Sequence, residues 1–272
     1  FFQRESCEDK KTGAATPCTA FSSSPSTFRG REGYCITCEH SITFSLDMKV
    51  LCISDTTDTL IYSSVAPELY RDVDFVISAG DLPLRYYDYI QTVLKKDVYY
   101  VYGNHNLEEF GHMMKGGSLT LHNDSLVPQL PAFGGNFVDG RIIYDKYHNL
   151  IIAGLGGSML YNGGESQYTE REMKMRIARL YPKLIYNKKR YGRYLDILIT
   201  HAPPRGMGDG EDLCHKGFDC FLQFMDKFQP RYLLHGHVHL DDINAPRITE
   251  YKGTKVINIY KNYILEDEIL GR

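Results

Sequence analysis

The sequence predicts an α/β or α+β sandwich, and three observations predict it. Short apolar, β-branched or aromatic runs recur along the chain, each bounded by Gly, Asp or Pro, as buried strands are. Helical text lies between several of these runs, and that alternation is how sheets covered by helices are written. Asp, Asn and His stand repeatedly where a run stops and a loop starts. Ligands of open α/β sheets bind there, beyond the carboxyl ends of the strands.

Taken in order, residues 1–47 read as an appendage, partly disordered or clipped by a metal. Residues 11–28 are rich in Ser, Thr, Ala and Pro and show neither helical nor strand periodicity. Four of the seven cysteines, Cys7, Cys18, Cys35 and Cys38, lie here, with one C-x-x-C pair and His40 nearby. A structural metal site, a disulfide and ordinary thiols all fit that spacing. The domain proper is expected over 48–272.

Its strands are expected at Met48–Ser54, Val73–Ala79, Asp97–Tyr102, Leu150–Leu155, Tyr194–Thr200, Arg231–Leu234 and Lys255–Tyr260. Cys52 falls inside the first and reads as a core residue. Thr169–Arg190 reads as helix, opened by a Thr169/Glu172 capping box and expected to be kinked or divided at Pro182. Phe218–Phe228 reads as a second helix, with Phe221, Leu222, Phe224, Met225 and Phe228 at helical spacing.

The strand ends carry Asp55, Asp81, Asn104, His105, His201, His237 and His239. Hard oxygen donors mixed with imidazoles suit Mn, Fe or Zn better than Ca or Mg. Two metals about 3.5–4 Å apart usually share a bridging carboxylate. Asp81, which follows Gly80, is the choice for that bridge. His237 and His239 alternate along an extended segment, so both imidazoles fall on one face.

The ordered set Asp55, Gly80-Asp81, Gly103-Asn104-His105, His201 and Gly236-His237-Val238-His239 resembles the calcineurin-like metallophosphoesterase superfamily, over roughly residues 48–265. The stretches GLGGSMLYNGGESQYTEREM and THAPPRGMGDGEDLCHKGF resemble a subgroup of small bacterial metallophosphoesterases. DILITHAPP is similar to mammalian members of the class III cyclic nucleotide phosphodiesterase-like group. The resemblance implies two mixed β-sheets flanked by helices. It makes Asp55 and His239 ligands of a first metal, Asp81 the bridge, and Asn104, His201 and His237 ligands of a second. His105 would contact the phosphate and protonate the leaving oxygen while a metal-held hydroxide attacks phosphorus in line. Asn104, His105 and His215 are the expected substrate contacts.

One motif departs from the pattern. The superfamily's Asp-x-His is here Asp55-Thr56-Thr57. A Thr hydroxyl is a poor ligand, so the first site is expected to be weak, harder in its metal preference or empty, unless Asp58 reaches it directly or through water.

Other features have two readings each. Gly156-Gly157-Ser158 fits a phosphate cradle and a tight turn equally. The loop Gly206–Gly217, with Asp212, His215 and Lys216, follows His201 and is expected to border the substrate. Tyr161 and Tyr168 read as stacking platforms or as surface aromatics. Arg171, Lys174, Arg176, Arg179, Lys183, Lys188, Lys189, Arg190 and Arg193 form a basic run that steers a polyanion or is simply a solvated face.

The net charge of −3 argues against a protein built to coat nucleic acid or an anionic membrane. No run of about eighteen apolar residues spans a bilayer, and no signal-peptide pattern opens the chain, so a cytoplasmic location is the expectation. The function expected is metal-dependent hydrolysis of a small phosphomonoester or phosphodiester, nucleotides included. A DNA nuclease and a non-catalytic binding module with a degenerate first metal site are the competing readings.

Overall fold

The computed structural model describes residues 47–105, 119–122, 125–128, 135–240, 242 and 244–268. All of them belong to one unit, Ser45–Arg272. The expected appendage and its cysteines lie outside the described residues.

The strands are β1 (Asp47–Ser54), β2 (Phe75–Ser78), β3 (Val98–Tyr100), β4 (Leu119–His122), β5 (Ser125–Pro128), β6 (Asn136–Phe137), β7 (Ile142–Asp145) and β8 (Leu150–Leu155). Then follow β9 (Ser158–Met159), β10 (Gln167–Tyr168), β11 (Ile197–Thr200), β12 (Tyr232–His235), β13 (Ile248–Tyr251), β14 (Thr254–Asn258) and β15 (Lys261–Glu268). The helices are α1 (Ala66–Leu69), α2 (Leu84–Leu94), α3 (Glu170–Tyr191) and α4 (Asp219–Phe228).

Two mixed sheets result. One has the order β15-β1-β2-β3-β6, the other β13-β14-β12-β11-β8-β7. β1, β2, β3 and β6 run parallel, as do β14, β12, β11 and β8. Antiparallel strands β15, β13 and β7 close the edges.

Period-two alternation assigns each side chain to a layer. Val50, Cys52, Phe75, Ile77 and Tyr99 meet Ile152, Ile197, Ile199, Leu234 and Ile257 in a core between the sheets. The residues between them, Leu51, Ile53 and Val76, pack outward on α2 through Tyr86, Tyr87 and Ile90. Ile151, Ala153, Leu198 and Leu233 pack outward on α3 and α4 through Met173, Ile177, Leu184, Phe221 and Phe224. The inner strands are buried on both faces, which is why they read as unbroken apolar runs. Each fully buried Leu, Ile or Phe contributes about 1.5–3 kcal/mol.

The capping box of α3 is present: Glu172 N–H donates to Thr169 Oγ1 at 3.3 Å, and Thr169 N–H donates to Glu172 Oε2 at 2.8 Å. Pro182 lies inside α3 but does not divide it. The buried stripe Met173, Ile177, Leu180, Leu184 and Asn187 continues on both sides of the proline, so packing on the second sheet holds the helix through the missing hydrogen bond.

Candidate metal centre

Parallel neighbours in each sheet end at the same edge. Asp55 leaves β1, Gly80-Asp81 leave β2 and Gly103-Asn104-His105 leave β3, while His201 leaves β11 and Gly236-His237 leave β12. The two edges meet. His201 Nδ1 donates to Ala79 O at 2.9 Å, and His237 N–H donates to both Asp55 carboxylate oxygens at 3.1 Å.

The backbone turns abruptly at three of these ends. Asp55, Asp81 and His237 have φ of 62°, 54° and 66°, left-handed values that cost a non-glycine residue about 1–3 kcal/mol and concentrate at functional sites. Close approach is needed too. A Cβ on Gly103 would run into the Asp81 carboxylate and come within 2.7 Å of His201 Cε1.

The tightest group lies around His201, which is fully buried. With Nδ1 committed to Ala79, its Nε2 faces two oxygens, Asn104 Oδ1 at 3.0 Å and Asp81 Oδ2 at 3.2 Å. Only a proton or another cation reconciles three lone-pair donors at that separation. In the protein alone it is a proton. Burial lowers the His201 pKa, but Asp81 and then Asp55 outweigh it and push it up to about 9. Burial likewise raises Asp81, but His201 and the His105 N–H bond at 2.9 Å hold it at about 2.

His237 completes this group. Its Nε2 donates to Cys214 O at 2.8 Å, which leaves Nδ1 as the lone-pair nitrogen. Burial, with the His201 charge, brings its pKa down to about 3, so it stands ready as a neutral donor. Asp81, His201 and His237 bring ligand atoms within 4.8 Å of one another. The donor set therefore fits a divalent cation.

The second half of the centre is looser. Asp55 is raised by burial although His201 and the Ser54 hydroxyl at 2.5 Å oppose this, and Asp81 adds to the rise. His239 Nε2 lies 3.9 Å from Asp55 Oδ1, with its side chain 56% exposed and stacked on Tyr260 at 4.6 Å. Thr57 is exposed, and Thr56 Oγ1 donates to the Tyr260 hydroxyl at 3.4 Å. Asp58 does not turn to the centre. Its Oδ1 accepts from Leu60 N–H at 2.7 Å and its Oδ2 accepts from Asn262 Nδ2.

All seven residues singled out in the sequence thus reach one edge, at which His105 is exposed. A family model for calcineurin-like phosphoesterases matches residues 48–241, well over half of the chain. The chain belongs to that family. Among solved structures, TT1561 of Thermus thermophilus is 14% identical, with a TM-score of 0.49 over 82% of this chain and 99% of that one. The sulfate thiohydrolase SoxB of the same organism, in complex with glycerol, is 15% identical, with a TM-score of 0.34 over 78% of this chain and 42% of that one. No curated protein matches the chain.

Around this calcineurin-like centre the remaining sequence features separate. Gly156-Gly157-Ser158 is a turn: its three amides donate inward, to Asp139 Oδ1 at 2.7 Å, Tyr102 O at 2.8 Å and Ser166 O at 3.0 Å. The loop Gly206–Gly217 does border the centre, through Cys214 O and through His215, whose ring lies 5.3 Å from His237 and pairs with Asp212 at 2.9 Å. Tyr168 lies under the Arg176 guanidinium at 4.2 Å. Tyr161 instead reaches the centre and accepts from Asn104 Nδ2 at 3.2 Å. Sequence reading missed Ser54, Cys214 and Tyr260 as neighbours of the ligands. Only Ser54, adjacent to Asp55, carried any positional signal.

The basic run along α3 and just past its end is partly committed. Arg176 pairs with Asp139 and donates to Gly156 O at 2.6 Å, Arg193 pairs with Asp196 at 2.7 Å, and Lys188 donates to Gly192 O at 2.8 Å. No helix among the described residues is long and apolar enough to cross a membrane.

Proposed function

We propose that the chain hydrolyses phosphoester bonds of small molecules with the help of divalent cations. The observation that carries this is the convergence of His201 Nε2 on Asn104 Oδ1 at 3.0 Å and Asp81 Oδ2 at 3.2 Å, where a cation would sit between them. Asp81, Asn104, His201 and His237 would hold one ion, and Asp55, His239 and the shared Asp81 a second, weaker one. Bound there, such ions lower the pKa of water and neutralise charge developing on the phosphoryl oxygens.

The chain's own residues supply the rest. Ala79 O and Cys214 O fix the tautomers of His201 and His237. His105 is anchored by its N–H on the shared Asp81 at 2.9 Å, and its exposed side chain would protonate the leaving oxygen of a bound ester. His215 stands at the rim, where it would contact the substrate. The internal pairing of Arg176, Arg193 and Lys188 supports a small substrate over a polynucleotide. Removing bound metal, reloading with Mn, Fe or Zn, and assaying p-nitrophenyl phosphate, bis-p-nitrophenyl phosphate and DNA tests the reading. Turnover of the small esters only with metal supports it, and DNA cleavage alone would replace it with a nuclease.

A further inference from the structure

Tyr161 sits on the turn between β9 and β10. The turn is locked by its own hydrogen bonds: Tyr161 N–H and Asn162 N–H both donate to Gln167 Oε1 at 3.2 Å, and Gln167 Nε2 donates back to Asn162 Oδ1 at 2.7 Å. The ring is thereby presented to the centre from a built support. Its hydroxyl accepts from Asn104 Nδ2, while Oδ1 of the same amide faces His201.

A phenol carries one proton and accepts through its oxygen. With Asn104 donating to that oxygen, the Tyr161 proton must point to another acceptor. Its neighbour on the protein side is Cys214, on the loop whose carbonyl holds His237. Sulfur is a weak acceptor. An anionic phosphoryl oxygen is a far better one, and charge-assisted bonds are roughly twice as strong as neutral ones.

We propose that Tyr161 is a substrate-contacting residue, whose hydroxyl, held at the ligand cluster by Asn104, donates to a non-bridging phosphoryl oxygen when a phosphoester binds. This rests on the phosphoesterase reading above. Tyr161 keeps its proton throughout and acts as a fixed donor toward charge that grows in the transition state. Asn104 is the intermediary that keeps the hydroxyl within reach of the ligand cluster.

The test is Tyr161→Phe, which keeps the ring and removes the donor. Metal content should be unchanged, because Asn104 Oδ1 still faces His201. The kcat/KM for p-nitrophenyl phosphate should fall about 10- to 100-fold, the scale of one hydrogen bond to a charged group. Inhibition by inorganic phosphate should weaken in the same direction. Unchanged phosphate inhibition and unchanged kcat/KM would overturn the proposal and leave the phosphoesterase reading intact. Loss of metal in the variant would also overturn it, because Tyr161 would then act only by positioning Asn104. A metal-loaded wild-type protein that neither hydrolyses phosphoesters nor binds phosphate would remove both readings.

Discussion

His201 Nε2 lies 3.2 Å from Asp81 Oδ2, at the meeting point of two sheets whose strands are far apart in the chain. That contact links the carboxyl edges of the two sheets, and on the proposed reading it is where a cation would sit. It also makes the centre a proton store in the metal-free protein.

Metal uptake should therefore release protons. At pH 7 His201 carries a proton, since its pKa is pushed up to about 9, whereas His237 at about 3 and Asp81 at about 2 carry none. Loading one ion should release one proton, and apparent affinity should rise about tenfold per pH unit below pH 9. Calorimetry in two buffers of different ionisation enthalpy measures this. Zero proton release at pH 7 would contradict the His201 assignment.

The same pair shapes the stability of the metal-free protein. His201 is raised above its usual 6.5, so its contribution is full below that value and is lost as pH rises through about 9. Asp81 is depressed below its usual 3.8, so its contribution is full above that value and is lost as pH falls through about 2. Buried His237 and His235, whose pKa values are lowered to about 3 and about 4, make denaturant midpoints of the metal-free protein rise toward pH 6.5, and above that the His201 contribution should make them decline toward pH 9. A midpoint that climbs between pH 7 and 9 would contradict the pairing.

Asp81→Asn and His237→Ala should each abolish hydrolysis and lower bound metal while the circular dichroism spectrum stays that of the wild type. Gly103→Ala should act on the same cluster from the backbone. Its Cβ would force the Asp81 carboxylate away from His201, at a cost of about 1–3 kcal/mol in stability and most of the bound metal. Wild-type metal content in Gly103→Ala would show that the cluster tolerates a wider separation.

His105→Ala should keep its metal and lose roughly 10²–10⁴-fold in kcat, the range of general acid–base residues. The backbone N–H that holds Asp81 is preserved in this variant. Metal loss would place His105 among the ligands, and unchanged turnover of an ester with a poor leaving group would remove its acid role.

The looser half of the centre predicts a stoichiometry. With Thr57 exposed and both Asp58 oxygens engaged by Leu60 and Asn262, the purified protein should hold fewer than two ions per chain. Thr57→His should raise that number, since imidazole is a good donor to Mn, Fe or Zn and a hydroxyl a poor one. Metal analysis of both proteins decides it. Two full ions in each would show that another group already completes the site.

Much of this was legible in the sequence because strand ends are marked by chemistry. β8 matches its expected bounds, Leu150–Leu155, and the ligands follow their strands directly. α2 was not foreseen, because Tyr86 and Tyr87 disguise a core-facing stripe. The Tyr87 hydroxyl is accommodated indoors by Ser78 at 2.8 Å, so the ring packs as a hydrophobe. β15 was missed for the opposite reason. Lys261–Glu268 looks polar, yet it pairs with β1 along its whole length as an edge strand, with Leu265 and Tyr263 on the inner core and Ile264 on the outer one. Tyr161, Cys214 and Tyr260 reach the ligands through tertiary contacts that no local pattern encodes. The phosphate-cradle reading of Gly156–Ser158 failed because amide direction is decided by tertiary partners, Tyr102 and Asp139, that no local pattern reveals.

The most direct test of the account is hydrolysis of bis-p-nitrophenyl phosphate and p-nitrophenyl phosphate by protein stripped of metal and then reloaded in steps with Mn, with Asp81→Asn measured alongside. Turnover should be absent in the stripped protein, rise in proportion to bound metal and remain absent in Asp81→Asn. Turnover that survives stripping, or that persists in Asp81→Asn, would contradict it.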